Sequence, residues 1–100
     1  MPLFALGLNY RTAPIEVRER IAFSLDAQRP ALDALKSTTM ADEVALVSTC
    51  NRTEIYLRAN DDNALRRAED WLAAVPTLQG VTLSPHLYTL TEQEVSRHLF

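Results

Sequence analysis

Two β-rich runs, Glu43–Thr49 (EVALVST) and Thr53–Arg58 (TEIYLR), are separated by only Cys50, Asn51 and Arg52. A parallel pair needs a crossover of about a dozen residues, so a link this short commits the two runs to an antiparallel hairpin. Asn51 suits the turn because Asn tolerates the left-handed conformation. The first run is mostly apolar, as a buried central strand would be. The second alternates and leaves one face polar.

Around this hairpin the remaining elements fall into order. Leu3–Asn9 is a short apolar strand closed by polar residues. After a break at 11–14, Thr12 is a candidate N-cap with Pro14 in the first helical turn, and Val17 and Ile21 mark the apolar side of the helix. Ser24 is placed to cap a second helix carrying Leu25, Leu32 and Leu35. Pro30 argues for a kink in it, or a start nearer Ala27. A third helix spans 61–74, capped by Asp61 or Asp62, with Leu65, Ala68 and Leu72 inward. Residues 76–85 read as loop and 86–90 as a last strand. Thr91 and Glu94 form a capping box for one more helix, which has no C-cap before residue 100.

The expected fold class is therefore α+β: a ferredoxin-like βαββαβ domain with a four-stranded antiparallel sheet, helices on one face, and the start of a further helix. Residues 1–90 make the domain, and 91–100 begin a helix that continues it.

Composition narrows the function. The net charge of −3 argues against a broad nucleic-acid surface, although a local patch remains possible. The arginine pairs Arg18–Arg20 and Arg66–Arg67 read as solvated faces, with contact to nucleic-acid phosphates as the minority reading. Cys50 is the only cysteine, so neither an internal disulfide nor a multi-cysteine zinc site can form. With 2 glycines there is no GxGxxG loop. No 18-residue apolar run and no targeting segment are present, so the expected setting is cytoplasmic, away from the membrane.

Cys50 is the leading candidate for chemistry. A lone cysteine is commonly buried and inert. This one ends an apolar strand in a polar turn, two residues from Arg52, which would favour a thiolate. A thiol is also nucleophilic near neutral pH without a dedicated base.

Ser48–Tyr56, STCNRTEIY, resembles the signature of the glutamyl-tRNA reductases. GLNYRTAPIEVRER, from Gly7 to Arg20, is similar to that family's GxNHxTAP…RE segment, with Tyr10 where the family usually has His. VSRHLF, from Val95 to Phe100, is similar to the start of its VSxHLFRVASG stretch. The resemblance implies NADPH-dependent reduction of glutamyl-tRNA to glutamate-1-semialdehyde through a cysteine thioester, at the entry to tetrapyrrole synthesis. On it, Cys50 is the nucleophile. Arg52 binds the substrate, and its guanidinium fork suits a glutamyl carboxylate. Thr49 and Asn51 flank the nucleophile with hydroxyl, amide and backbone N–H groups. His98 matches a histidine important for activity, either as the acid for the leaving ribose hydroxyl or as a residue that shapes the site.

The bland readings are a solvated arginine at 52 and turn chemistry at 51. His86, without motif support, reads as structural or exposed. The family also adds an NADPH-binding domain and a helical dimerisation domain, both outside this chain, so the cofactor site is expected elsewhere and the full protein is expected to be a homodimer. The competing functions are a non-catalytic α+β interaction module and a thiol hydrolase of small esters.

Overall fold

The computed structural model describes residues 3–21, 23–49, 51–59, 63–74, 84–91, 94, 95 and 97. Four strands, β1 (Leu3–Asn9), β2 (Glu43–Ser48), β3 (Arg52–Arg58) and β4 (Tyr88–Leu90), form one sheet in the order β2-β3-β1-β4. Every neighbouring pair is antiparallel. β1 and β2 therefore run parallel with β3 inserted between them, which is the split βαβ expected from the element order. Two helices, α1 (Ile15–Ile21) and α2 (Leu25–Thr39), fill the first crossover, and α3 (Asn63–Ala73) lies in the second.

Period-2 alternation divides the strands between two faces. Leu6 and Leu8 of β1 and Ile55 and Leu57 of β3 are all fully buried against Val17, Ile21, Leu35, Ala64, Ala68 and Leu72 of the three helices. Each such Leu or Ile contributes about 1.5–3 kcal/mol by leaving water. Phe23 stacks on Trp71, with centroids 6.0 Å apart, and fastens the α1–α2 junction to α3. The opposite face carries Ala5, Tyr56 and Val95, with Leu3, Val47 and Leu90 packed around them. Val95 follows the Thr91 cap, so this second face is covered as well. Helical packing is not confined to one side.

The hairpin strands exchange the environments their compositions suggest. β2, apolar in sequence, is an edge strand with Glu43 and Ala45 exposed. β3, with its polar alternation, is central and buried from Thr53 to Leu57. The polar face of β3 does not meet water, because Glu54 and Tyr56 find partners beneath the second layer.

Thr12 does not cap α1. Its hydroxyl accepts the Asn9 N–H at 2.9 Å, and the helix starts later, with Val17 and Arg18 N–H both donating to the Pro14 carbonyl at 3.1 Å. Ser24 caps α2, accepting from the Ala27 N–H at 3.3 Å, and the helix begins at Leu25 and runs through Pro30 to Thr39. The exposed proline removes one donor from a helix otherwise held by its cap and by Ala31 and Leu35. Asp61 and Asp62 lie outside the described residues, as do 76–83. Residues 84–86 form a 3-10 turn, so the last strand begins at Tyr88 rather than His86. Half of the Thr91–Glu94 box forms: Glu94 Oε1 accepts the Thr91 N–H at 3.1 Å, while the Thr91 hydroxyl donates to the same oxygen at 2.7 Å.

Gly7 sits opposite Glu54 in the centre of the sheet. A Cβ there would lie 2.8 Å from both the Glu54 Cγ and the Thr53 carbonyl oxygen. The carbonyl belongs to the central strand and cannot retreat. We expect Gly7→Ala to cost roughly 1–3 kcal/mol, read as a lower urea midpoint with unchanged m-value. Wild-type stability in this variant would mean that the sheet relaxes freely at that point.

Candidate functional site

The hairpin between β2 and β3 closes on backbone and side-chain bonds within itself. Thr49 N–H donates to the Arg52 carbonyl at 2.8 Å. Thr49 Oγ1 accepts the N–H groups of Asn51 and Arg52, each at 3.2 Å. These N–H groups are thereby committed to the turn. What Thr49 and Asn51 have left for a substrate is the Thr49 O–H proton and the exposed Asn51 side-chain amide. Asn51 does not use the left-handed conformation; Met40, the C-cap of α2, is the positive-φ residue among the described non-glycines. Cys50 and His98 lie outside the described residues.

Arg52 is the first residue of β3 rather than part of a loop. Its Nη1 is 3.4 Å from Glu54 Oε1, with the arginine side chain 45% exposed and the glutamate 1%. Glu54 is the residue that sequence reasoning passed over. A carboxylate so buried must be paired or hydrogen-bonded. It accepts from the Tyr56 hydroxyl at 3.0 Å, through the same oxygen that faces Arg52, and from the Tyr88 hydroxyl through the other. The signal was present: Arg52, Glu54 and Tyr56 are spaced by two and so share one face of a strand.

The network extends across the sheet. Asn9 pairs with Arg52, and Gly7 pairs with both Glu54 and Tyr88. Asn9 Oδ1 accepts the N–H groups of Arg11 at 2.9 Å and Thr12 at 3.1 Å. Its amide is turned to the Tyr88 hydroxyl. A polar relay thus runs from the turn after β1, through Asn9, Tyr88 and Glu54, to Arg52 beside the hairpin. On the other face Ser48 Oγ accepts the Phe23 N–H at 2.8 Å, tying the helix junction to the same hairpin end.

A groove of about 250 Å³, lined by Asn9, Tyr10, Arg11, Asn51 and Arg52, opens at this rim. His86 stands apart, with Nδ1 3.0 Å from the Thr12 carbonyl, a contact that braces the same turn. The arginine faces are not uniformly solvated. Arg20 and Arg66 are exposed, while Nε and Nη1 of Arg18 are buried with no hydrogen-bond partner among the described residues.

Burial, then the hydrogen bond and charge of Glu54, push the Tyr56 hydroxyl up to about 12. Tyr88 is raised by the same causes in the same order. Below about pH 10 both phenols are protonated in the folded and unfolded chain alike. Above it the unfolded chain ionises first, so stability falls as pH climbs from about 10 through 12. The slope should approach 1.4 kcal/mol per pH unit for each tyrosine. Urea unfolding between pH 9 and 12 should give this decline, flatter in Tyr56→Phe. An identical slope in that variant would remove Tyr56 from the account.

A family model described as Glutamyl-tRNAGlu reductase, N-terminal domain, matches residues 6–100. A glutamyl-tRNA reductase of Halorhodospira halophila (strain DSM 244 / SL1) is 46% identical over 99 residues, which is 99% of this chain and 22% of that protein. The solved structure of the glutamyl-tRNA reductase from Methanopyrus kandleri is similar at a TM-score of 0.70 and 22% identity, covering 97% of this chain and 21% of that one. That likeness speaks to the fold. The chain spans about a fifth of the length of these relatives.

Proposed function

The chain belongs to the family of glutamyl-tRNA reductase N-terminal domains, and we propose that it carries the acyl-transfer half of that enzyme's reaction. The observation that supports this most directly is family membership across residues 6–100, with STCNRTE intact. In this reading the Cys50 thiolate attacks the ester carbonyl of glutamyl-tRNA. The carbon–oxygen bond to the terminal ribose breaks, and a glutamyl thioester remains on sulfur. The leaving ribose oxygen takes a proton, for which His98 is the candidate donor. The partly exposed Arg52 clamps the glutamyl side-chain carboxylate, oriented by its contact with Glu54. The Thr49 hydroxyl and Asn51 amide face the substrate amine or the developing oxyanion.

NADPH supplies the hydride of the second step in this family. The described residues do not fit a dinucleotide. Their sheet is antiparallel throughout, and Gly7, their one glycine, lies in mid-strand rather than in a strand-to-helix turn. We assign no residue here to hydride transfer and place it, with dimerisation, in the rest of a longer protein. Entry to tetrapyrrole synthesis follows from the family. A cytoplasmic setting is the one in which this substrate and a free thiol coexist. No helix among the described residues is long and apolar enough to cross a membrane.

Two tests follow. Residues 1–100 given radiolabelled glutamyl-tRNA should release free glutamate slowly, independently of NADPH, and Cys50→Ala should abolish the release. NADPH-dependent semialdehyde from residues 1–100 would overturn the division of labour. In the complete protein, Arg52→Lys should lower kcat/KM for glutamyl-tRNA by about 10- to 150-fold, because a point charge replaces a fork. Glutaminyl-tRNA, lacking the carboxylate, should lose little. Equal losses on both substrates would make Arg52 only the counter-ion of Glu54.

A further inference from the structure

Three large apolar side chains are strongly exposed among the described residues: Tyr10, Ile15 and Met40. Of these, Tyr10 alone lines the groove at the hairpin. It is 59% exposed, yet its ring is held in place. The Arg11 guanidinium carbon lies 5.5 Å from the ring centroid, and Arg11 Nε–H donates to the Tyr10 hydroxyl at 3.1 Å. The turn beneath is pinned by the two N–H groups on Asn9 Oδ1. An aromatic surface presented to solvent with its orientation already fixed loses little freedom when something stacks on it.

The groove's chemistry narrows what that is. Arg11 and Arg52 line it and no carboxylate does, in a chain whose net charge is −3. A local concentration of positive charge around an exposed ring is how single-stranded nucleic acid is held: bases on π-faces, backbone phosphates on arginine. The acyl-transfer reading, on which this inference rests, supplies the geometry. The reacting ester is on the 3′-terminal ribose, so that nucleotide's base is one sugar away from the carbonyl that Cys50 attacks. Asn51 and Arg52, the residues following Cys50, form one side of the groove, and Tyr10 and Arg11 form the other.

We infer that Tyr10 is the stacking platform for the 3′-terminal nucleobase of the aminoacyl-RNA substrate, with Arg11 fixing the ring and facing the adjoining phosphate. The contact recognises the presence of a base rather than its identity, since every base has a π-face.

The test uses the complete protein and three acyl donors: glutamyl-tRNA, 3′-O-glutamyl-adenosine, and glutamyl cyanomethyl ester, which has no base. Thioester formation on Cys50 is followed by mass and rate. Tyr10→Ala should lower kcat/KM for both base-bearing donors by roughly 5- to 150-fold and leave the cyanomethyl ester unchanged. Tyr10→Phe and Tyr10→Trp, which keep a ring, should stay close to wild type on all three. Equal losses on all three donors would make Tyr10 a structural turn residue and overturn the inference. So would no loss on any, or a loss on tRNA alone, which would place the ring against another part of the RNA. Failure of wild type to acylate from any donor would instead sink the acyl-transfer reading itself.

Discussion

The second face of this sheet is organised around one buried carboxylate. Glu54 occupies the middle of the central strand at 1% exposure, where an unpaired charge would be prohibitive. Three strands answer it. β3 supplies Arg52 and Tyr56, β4 supplies Tyr88, and β1 supplies Gly7, whose missing side chain leaves room for the glutamate to lie across it. Apolar packing on the helix side accounts for most of the stabilisation. The polar cluster ties β4 to its register, because Tyr88 reaches Glu54 across Gly7 of β1.

That cluster also explains why the arginine beside the hairpin is oriented. A solvated arginine samples many rotamers, and an exposed ion pair adds little. Arg52 has one end on a carboxylate that cannot move, so its guanidinium leaves the sheet in a restricted direction. The same network reaches through Tyr88 and Asn9 to the turn that carries Tyr10 and Arg11. The two walls of the groove are thus held by one set of hydrogen bonds.

Local signals in the sequence carried well into the structure. Ser24 caps α2 and Glu94 reaches back to the Thr91 N–H, since both depend on residues within one turn. The strand order follows from element order together with the hairpin. The misreading of the hairpin strands is tertiary. β2 and β3 exchanged edge and centre, because composition reports how apolar a strand is and not which neighbours it acquires. Pro30 was tolerated because the cap and the buried face hold the helix around it. Thr12 serves Asn9 and not the helix. At the site, Arg52 stood out through a motif, whereas Glu54 did not: a lone glutamate in an alternating strand reads as solvent-facing until a second layer is known to cover it.

Chain order gives the cluster a history. β1 emerges first in synthesis, but Ala5 pairs with Leu90 and Gly7 with Tyr88, near the other end of the described residues. A ribosome-bound chain that has passed Ala73 can close the β1–β3 and β2–β3 pairs and bury the helix side. Glu54 at that stage has Tyr56 and Arg52 but not Tyr88, and Val95 has not yet arrived to cover the face. The groove's two walls already meet where Asn9 pairs with Arg52, and the last strand adds Tyr88 to the carboxylate that holds Arg52. This domain therefore matures from its helix side outward, and the polar cluster behind the rim is the last part to acquire its final shape.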